Sequence, residues 1–160
     1  MPICYVEPVI DESVRHLCCR PYPNHPKGCP NFSKRNTCPP KAPLLYHYFD
    51  LSKPVLAVWV SFNLAAHREK MRAKHPKWPR RQLDCCLYWQ GRVRKSLRKA
   101  VGYNLIRYPL FDNNRKLIAT YVPEAMGVNV TATMAKENVP LEWPPEKTVI
   151  KVAFVGVGKD

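Results

Sequence analysis

The apolar residues Val55, Leu56, Ala57, Val58, Trp59, Val60 and Phe62 run almost without interruption. That continuity predicts a strand over residues 54–63, covered on both faces rather than wetted on one. A similar run, Val149, Ile150, Val152, Ala153, Phe154 and Val155, predicts a second strand over residues 148–157. Between them the pattern turns helical. Asn63 suits the N-cap of a helix over 64–74, which must end near His75 because Pro76 follows. Pro79 suits the first turn of a long helix over about 80–101, stopped by Gly102. Residues 108–121 read as two short extended pieces around the turn Asp112-Asn113-Asn114. Residues 123–137 read as helical with a break at Gly127. Near the start, residues 4–10 look extended, and Asp11-Glu12-Ser13 caps a helical turn reaching about Leu17. Strands and helices alternate loosely and nothing repeats. The expectation is an α/β fold, with mixed α+β as its variant. It forms one compact domain over residues 1–160, with a small sheet and a long basic helix.

Residues 18–43 break this texture. Seven of the 17 prolines fall between Arg20 and Pro43, and no apolar period survives there. The stretch also holds Cys29, Cys38, Tyr22 and Phe32. A loop of roughly 20 residues without structure is out of place in a compact domain unless something organises it. A bound metal centre would suffice. The chain has seven cysteines, an odd number, and its first residues lack the basic start and apolar run of an export signal. Free thiols in a reducing, cytoplasmic setting are therefore expected instead of a disulfide framework.

The spacing is Cys18-x10-Cys29-x8-Cys38-x47-Cys86, with Cys19 and Cys85 as alternatives at the ends. No Cys-x-x-Cys pair occurs, which argues against common zinc ribbons. Cys29 and Cys38 are each followed by proline, as iron–sulfur ligand runs often are. On a helix continuous from residue 80, Cys86 projects within about 20° of Val93 and Leu97. It therefore faces inward where Cys85 does not. These four sulfurs are expected to lie within about 7 Å of one another. Cys4 reads as a packing residue, as free cysteine often is. His25, His47, His67 and His75 lack paired spacing, and His16, near Cys18, is the histidine able to substitute as a ligand.

Charge adds a second theme. Lys plus Arg number 26 against 12 Asp plus Glu, a net +14 that attracts polyanions. Arg80, Arg81, Arg92, Arg94, Lys95 and Arg98 sit on the expected long helix, with Trp78, Tyr88 and Trp89 interleaved. They are candidate contacts to RNA, DNA or a nucleotide, by phosphate pairing and base stacking. A solvated charged face is the plainer reading of the same residues. No Walker loop, GxGxxG, HExxH or GxSxG occurs, so enzymatic activity stays open. A thiol enzyme would need an activated cysteine, such as Cys19 beside Arg20 or Cys85 near Arg81. No apolar run is long enough to cross a membrane.

Three stretches, RPYPNHPKGCPNFSKRNTCPP, RAKHPKWPRRQLDCCLYWQG and PEAMGVNVTATMAKENVPLEWPP, resemble a family of uncharacterised bacterial and phage proteins carried as predicted metal-binding proteins. The resemblance implies one metal-binding domain housing an iron–sulfur cluster, with Cys18, Cys29, Cys38 and Cys86 as the matching cysteines. Ser33 stands where the family's loop usually has glycine, so the local turn differs. The expected function is a metal-binding protein that holds a 4Fe–4S cluster through four cysteines. It would serve redox or cluster-assisted chemistry on a nucleotide-like or nucleic-acid substrate, with an electron donor as partner. If only three cysteines bind, one iron is left open. The alternatives are a zinc-stabilised nucleic-acid-binding module without catalysis, and a metal-free scaffold whose cysteines simply pack.

Overall fold

A computed structural model describes residues 2–21, 26–107 and 116–159. Its centre is a four-stranded sheet in the order β1-β2-β4-β3, with every pairing antiparallel. The strands are β1 (Ile3–Val6), β2 (Val55–Asn63), β3 (Leu117–Thr120) and β4 (Thr148–Val157). The two apolar runs of the sequence are the paired central strands, in register from Leu56 opposite Val155 to Asn63 opposite Thr148. The class is mixed α/β, with helices packed on an antiparallel sheet.

Both sheet faces are covered, as the continuous apolar runs require. On one face Val55, Ala57, Val152 and Phe154 meet Leu45, Phe49, Met126, Val128, Val130 and Met134. On the other, Leu56, Val58, Ala153 and Val155 lie under Leu97, Ala100 and Val101. Each fully buried side chain of this size stabilises the fold by about 1.5–3 kcal/mol.

The helices are α1 (Leu45–Tyr48), α2 (Leu64–Lys74), α3 (Arg80–Leu83), α4 (Gln90–Arg107) and α5 (Val130–Lys136), with 3₁₀ segments at Glu12–Cys19, Cys86–Tyr88 and Pro123–Met126. Asn63 caps α2, its Oδ1 accepting from the Ala66 N–H at 2.8 Å, and the helix ends at His75 as expected. Asn129 caps α5 in the same way at 2.9 Å. Gly127, at φ 81°, makes the expected break between the 3₁₀ turn and α5. Asp11 caps the first 3₁₀ segment through Ser13.

The long helix over 80–101 is not continuous. It stops after Leu83, passes through the turn at Cys86–Tyr88 and restarts at Gln90. The cause is Asp84. Its carboxylate accepts from Arg68 of α2 at 2.6 Å and from Arg80 at 2.7 Å, tying this point to a second helix. Cys85 follows at ψ 121°, outside helical geometry. Gly102 does not stop α4, which runs on to Arg107, because it does not adopt the left-handed φ of a terminating glycine. The turn expected at residues 112–114 lies outside the described residues. Among the described residues no helix is long and apolar enough to cross a membrane.

β3 pairs only with Phe154–Val157. The first half of β4, Thr148 to Ala153, therefore has β2 on one side and no strand on the other among the described residues.

Candidate metal centre

The cysteine lobe is built from turns. The 3₁₀ segment Glu12–Cys19 delivers Cys18, and Gly28 folds back over it at φ 80°. The Cys29 N–H then donates to the Cys18 carbonyl at 2.7 Å. Phe32 N–H donates to Cys29 O at 3.1 Å, Ser33 N–H to Pro39 O at 2.8 Å, and Ala42 N–H to Cys38 O at 2.9 Å. Arg15 clamps the far end, donating to Pro40 O at 3.0 Å and Ala42 O at 2.8 Å. Ser33 adopts φ 63°, a left-handed conformation that glycine takes more easily. Of the described lobe residues 26–43, only Gly28, Pro39 and Ala42 are buried. Backbone hydrogen bonds, not an apolar anchor, hold the lobe.

Cys29 and Cys38 are both brought into electrostatic range of Cys18. Burial pushes the Cys18 thiol up, and the neighbouring Cys29, Cys38 and Cys19 sulfurs and Glu124 push it further. A thiol crowded by other sulfurs is a position where a bound cation relieves the repulsion between thiolates. The donor set, three sulfurs on a turn-built lobe, fits a soft metal or an iron–sulfur cluster. No group of three or more His, Cys, Asp or Glu among the described residues already stands at metal-ligand geometry. All seven cysteines are free thiols.

Cys86 does not face inward, and the groups that act on Cys18 are Cys29, Cys38, Cys19 and Glu124. Cys86 is exposed on the 3₁₀ turn beside Leu87, which is 77% exposed. Three residues on, Trp89 stacks on Phe62 at 5.1 Å between centroids. Phe62 alternates with Leu56 and Val58 along β2 and so shares the face covered by α4. The lobe reaches the sheet through Ala42 and Leu45 on the opposite face. The inward orientation expected for Cys86 assumed an unbroken helix, and the break at Asp84 removes it. Cys19 and the exposed His16 lie closest in sequence to Cys18. Cys4 packs against the first core cluster from β1, and burial, then Glu137, raise its pKa.

The basic residues divide. Arg80 is engaged by Asp84 and by Glu146 at 2.6 Å. Arg81 is exposed. Arg92, Arg94, Lys95 and Arg98 form the exposed row of α4, with Arg92 over the Phe62 ring at 5.5 Å and Arg98 over Tyr121 at 5.9 Å. The interleaved aromatics stack on one another: His75 on Trp78 at 3.9 Å, and Trp78 on Tyr88 at 5.5 Å.

Two residues not singled out from the sequence are Glu124 and Lys151, which line one cleft. Glu124 keeps solvent-exposed surface, but protein crowds its carboxyl closely enough that burial pushes its pKa up, against a smaller pull from Lys151. Burial pushes the Lys151 ammonium down, partly offset by Glu124. Glu124 also acts on Cys18, so cleft and lobe adjoin. The available signal was Lys151 itself, a lysine inside the apolar run of β4. No family model, no curated protein and no solved structure matches the chain.

Proposed function

We propose that the protein carries a metal centre in its cysteine lobe, held by Cys18, Cys29 and Cys38, with an iron–sulfur cluster favoured over zinc. The single observation that carries this reading is the turn-built fold-back that joins Cys29 to Cys18 by an N–H···O bond of 2.7 Å, on a lobe that also carries Cys38. A fully apolar explanation is weak, because the lobe has little core for them to fill. A 4Fe–4S cluster held by three cysteines would supply electron transfer, and an open iron would supply Lewis acidity. Cys19 and His16 are the nearest candidates for a fourth ligand, in place of Cys86. The free thiols suit a reducing, cytoplasmic setting.

The substrate side of the reading is nucleotide-like or nucleic acid, and its support is the exposed row Arg92, Arg94, Lys95 and Arg98 on α4. The same row supports the alternative of a zinc-stabilised nucleic-acid-binding module without catalysis. Anaerobic purification followed by an absorption spectrum and iron, zinc and sulfide analysis separates these readings. Iron with acid-labile sulfide is the expected result. One zinc per chain would favour the binding module. Absence of both would overturn the metal centre.

A further inference from the structure

The cleft beside β4 has a volume of about 150 Å³. α4 contributes Gln90, Val93 and Arg94 to one wall, and Glu124, Val130, Leu141 and Trp143 form the other. Its floor is the unpaired half of β4, Val149 to Val152.

The direction of that floor's backbone groups follows from register. Gly158 N–H donates to Lys116 O at 3.0 Å, continuing the ladder in which Leu117 faces Val157. Gly158 is therefore a hydrogen-bonded position on the β3 side. Every second residue back along β4 points its N–H and C=O the same way: Gly156, Phe154, Val152, Ile150 and Thr148. β3 serves the first two of these. At the far end, the Glu142 carboxylate accepts from Lys147 N–H at 3.0 Å and Thr148 N–H at 3.1 Å. Ile150 and Val152 are left, each offering a donor and an acceptor into the cleft with no partner among the described residues.

An added peptide strand draws its affinity from a long row of main-chain bonds. Glu142 shortens this edge to two residues, about 7 Å apart. That is the scale of a planar heterocycle, whose rim presents donors and acceptors in fixed order. Indole faces border the opening at Trp89 and Trp143. Trp143 is 65% exposed yet held in place by its N–H bond to Thr131 at 3.0 Å. An exposed, anchored indole is a stacking platform. Arg94 and Lys151 supply positive charge at the rim and floor, and Arg94 continues into the basic row of α4.

We propose that this cleft binds the nucleobase of a nucleotide, its rim against Ile150 and Val152, its face against Trp143 and its phosphate towards Arg94 and Lys151. Glu124 reads a ring or exocyclic nitrogen from the opposite wall. The proposal deepens the nucleotide half of the function proposed above and does not depend on the metal half. Metal content measured on the same samples reports on the lobe separately.

The test is titration of the full-length ¹⁵N-labelled protein with the four ribonucleoside 5′-monophosphates and a single-stranded hexanucleotide. Ribose 5-phosphate and inorganic phosphate are the base-free controls. Saturable shifts at the Ile150 and Val152 amides are expected, with base-free probes binding at least tenfold more weakly. Saturation by a mononucleotide identifies a free nucleotide as ligand. Saturation by the hexanucleotide alone identifies a base presented by a strand. Trp143→Ala, at an exposed position, should keep the fold and lose at least tenfold in affinity, and Glu124→Gln should reorder preference among the bases. The site is refuted if no probe moves these amides at about 10 mM. It is equally refuted if phosphate alone binds as well as nucleotides, or if Trp143→Ala binds like the parent.

Discussion

Gly28→Ala tests how the cysteine lobe is held. A Cβ at this position would stand 2.6 Å from the Cys18 carbonyl oxygen and 2.8 and 2.9 Å from the C and Cα of Cys19. All three are backbone atoms, so no side chain can swing aside. Alanine at φ 80° also carries the left-handed penalty, about 1–2 kcal/mol. Relieving the clash means parting the two backbone segments by about 0.5–1 Å, which breaks the Cys29 N–H to Cys18 O bond and loses about another 1 kcal/mol. The lobe should lose about 2–3 kcal/mol of local stability. Its sulfurs should spread beyond the roughly 0.2 Å tolerance of metal–ligand distances. The core lies elsewhere, under α4 and α5, so the global melting temperature should fall by only a few degrees. Amide exchange at Cys29, metal content and a thermal melt together measure this. Gly91→Ala is the control, since nothing lies within 4 Å of its added Cβ, and it should change none of the lobe readouts. If Gly28→Ala retained full Cys29 protection and full metal content, the close packing of the two segments would not be what holds the site.

Three further outcomes are expected. Cys29→Ser and Cys38→Ser should each lose metal and expose the lobe to limited proteolysis, whereas Cys86→Ser, at an exposed turn, and Cys4→Ser should keep full metal content by elemental analysis. Asp84→Asn should cost about 2–4 kcal/mol in urea denaturation, because it strips the charge partner from Arg68, which is 8% exposed. Burial raises the Asp84 pKa, but the hydrogen bonds from Arg68 and Arg80 outweigh it and the net shift is downward from 3.8. Its stabilisation is therefore complete above about pH 4 and lost as pH falls through the depressed value, so the parent should lose more stability on acidification than Asp84→Asn does. Ser33→Gly should relieve the φ 63° conformation and raise lobe protection in hydrogen exchange by about 1 kcal/mol, and a decrease would refute strain at that turn.

The central strands were legible because burial on both faces leaves its mark as unbroken apolar runs, and the α2 boundaries because Asn63 and Pro76 act locally. The break after Leu83 was not legible. The break sits where Arg68, sixteen residues away in sequence, reaches Asp84 from α2, a contact no local pattern announces. The placement of Cys86 failed with it, since a helical projection holds only along one continuous helix. The fold-back that joins Cys29 to Cys18 leaves a local trace, because turns rich in proline and glycine close over short distances. Glu124 and Lys151 meet only once β3 ends early and α4 and α5 close around the exposed edge, and no local pattern encodes that.

The half-open edge of β4 also bears on how the chain survives at high concentration. An unpaired strand edge is a template on which a second molecule can extend the sheet, and from there a fibre. Here the invitation is narrow. The Glu142 carboxylate already occupies the N–H groups of Lys147 and Thr148, and Lys151 sets a charge in the middle of the exposed stretch. An incoming strand from another copy would have to displace the first and bury the second. Replacing Glu142 and Lys151 together with apolar residues should therefore turn a well-behaved chain into one that assembles edge to edge, visible by light scattering.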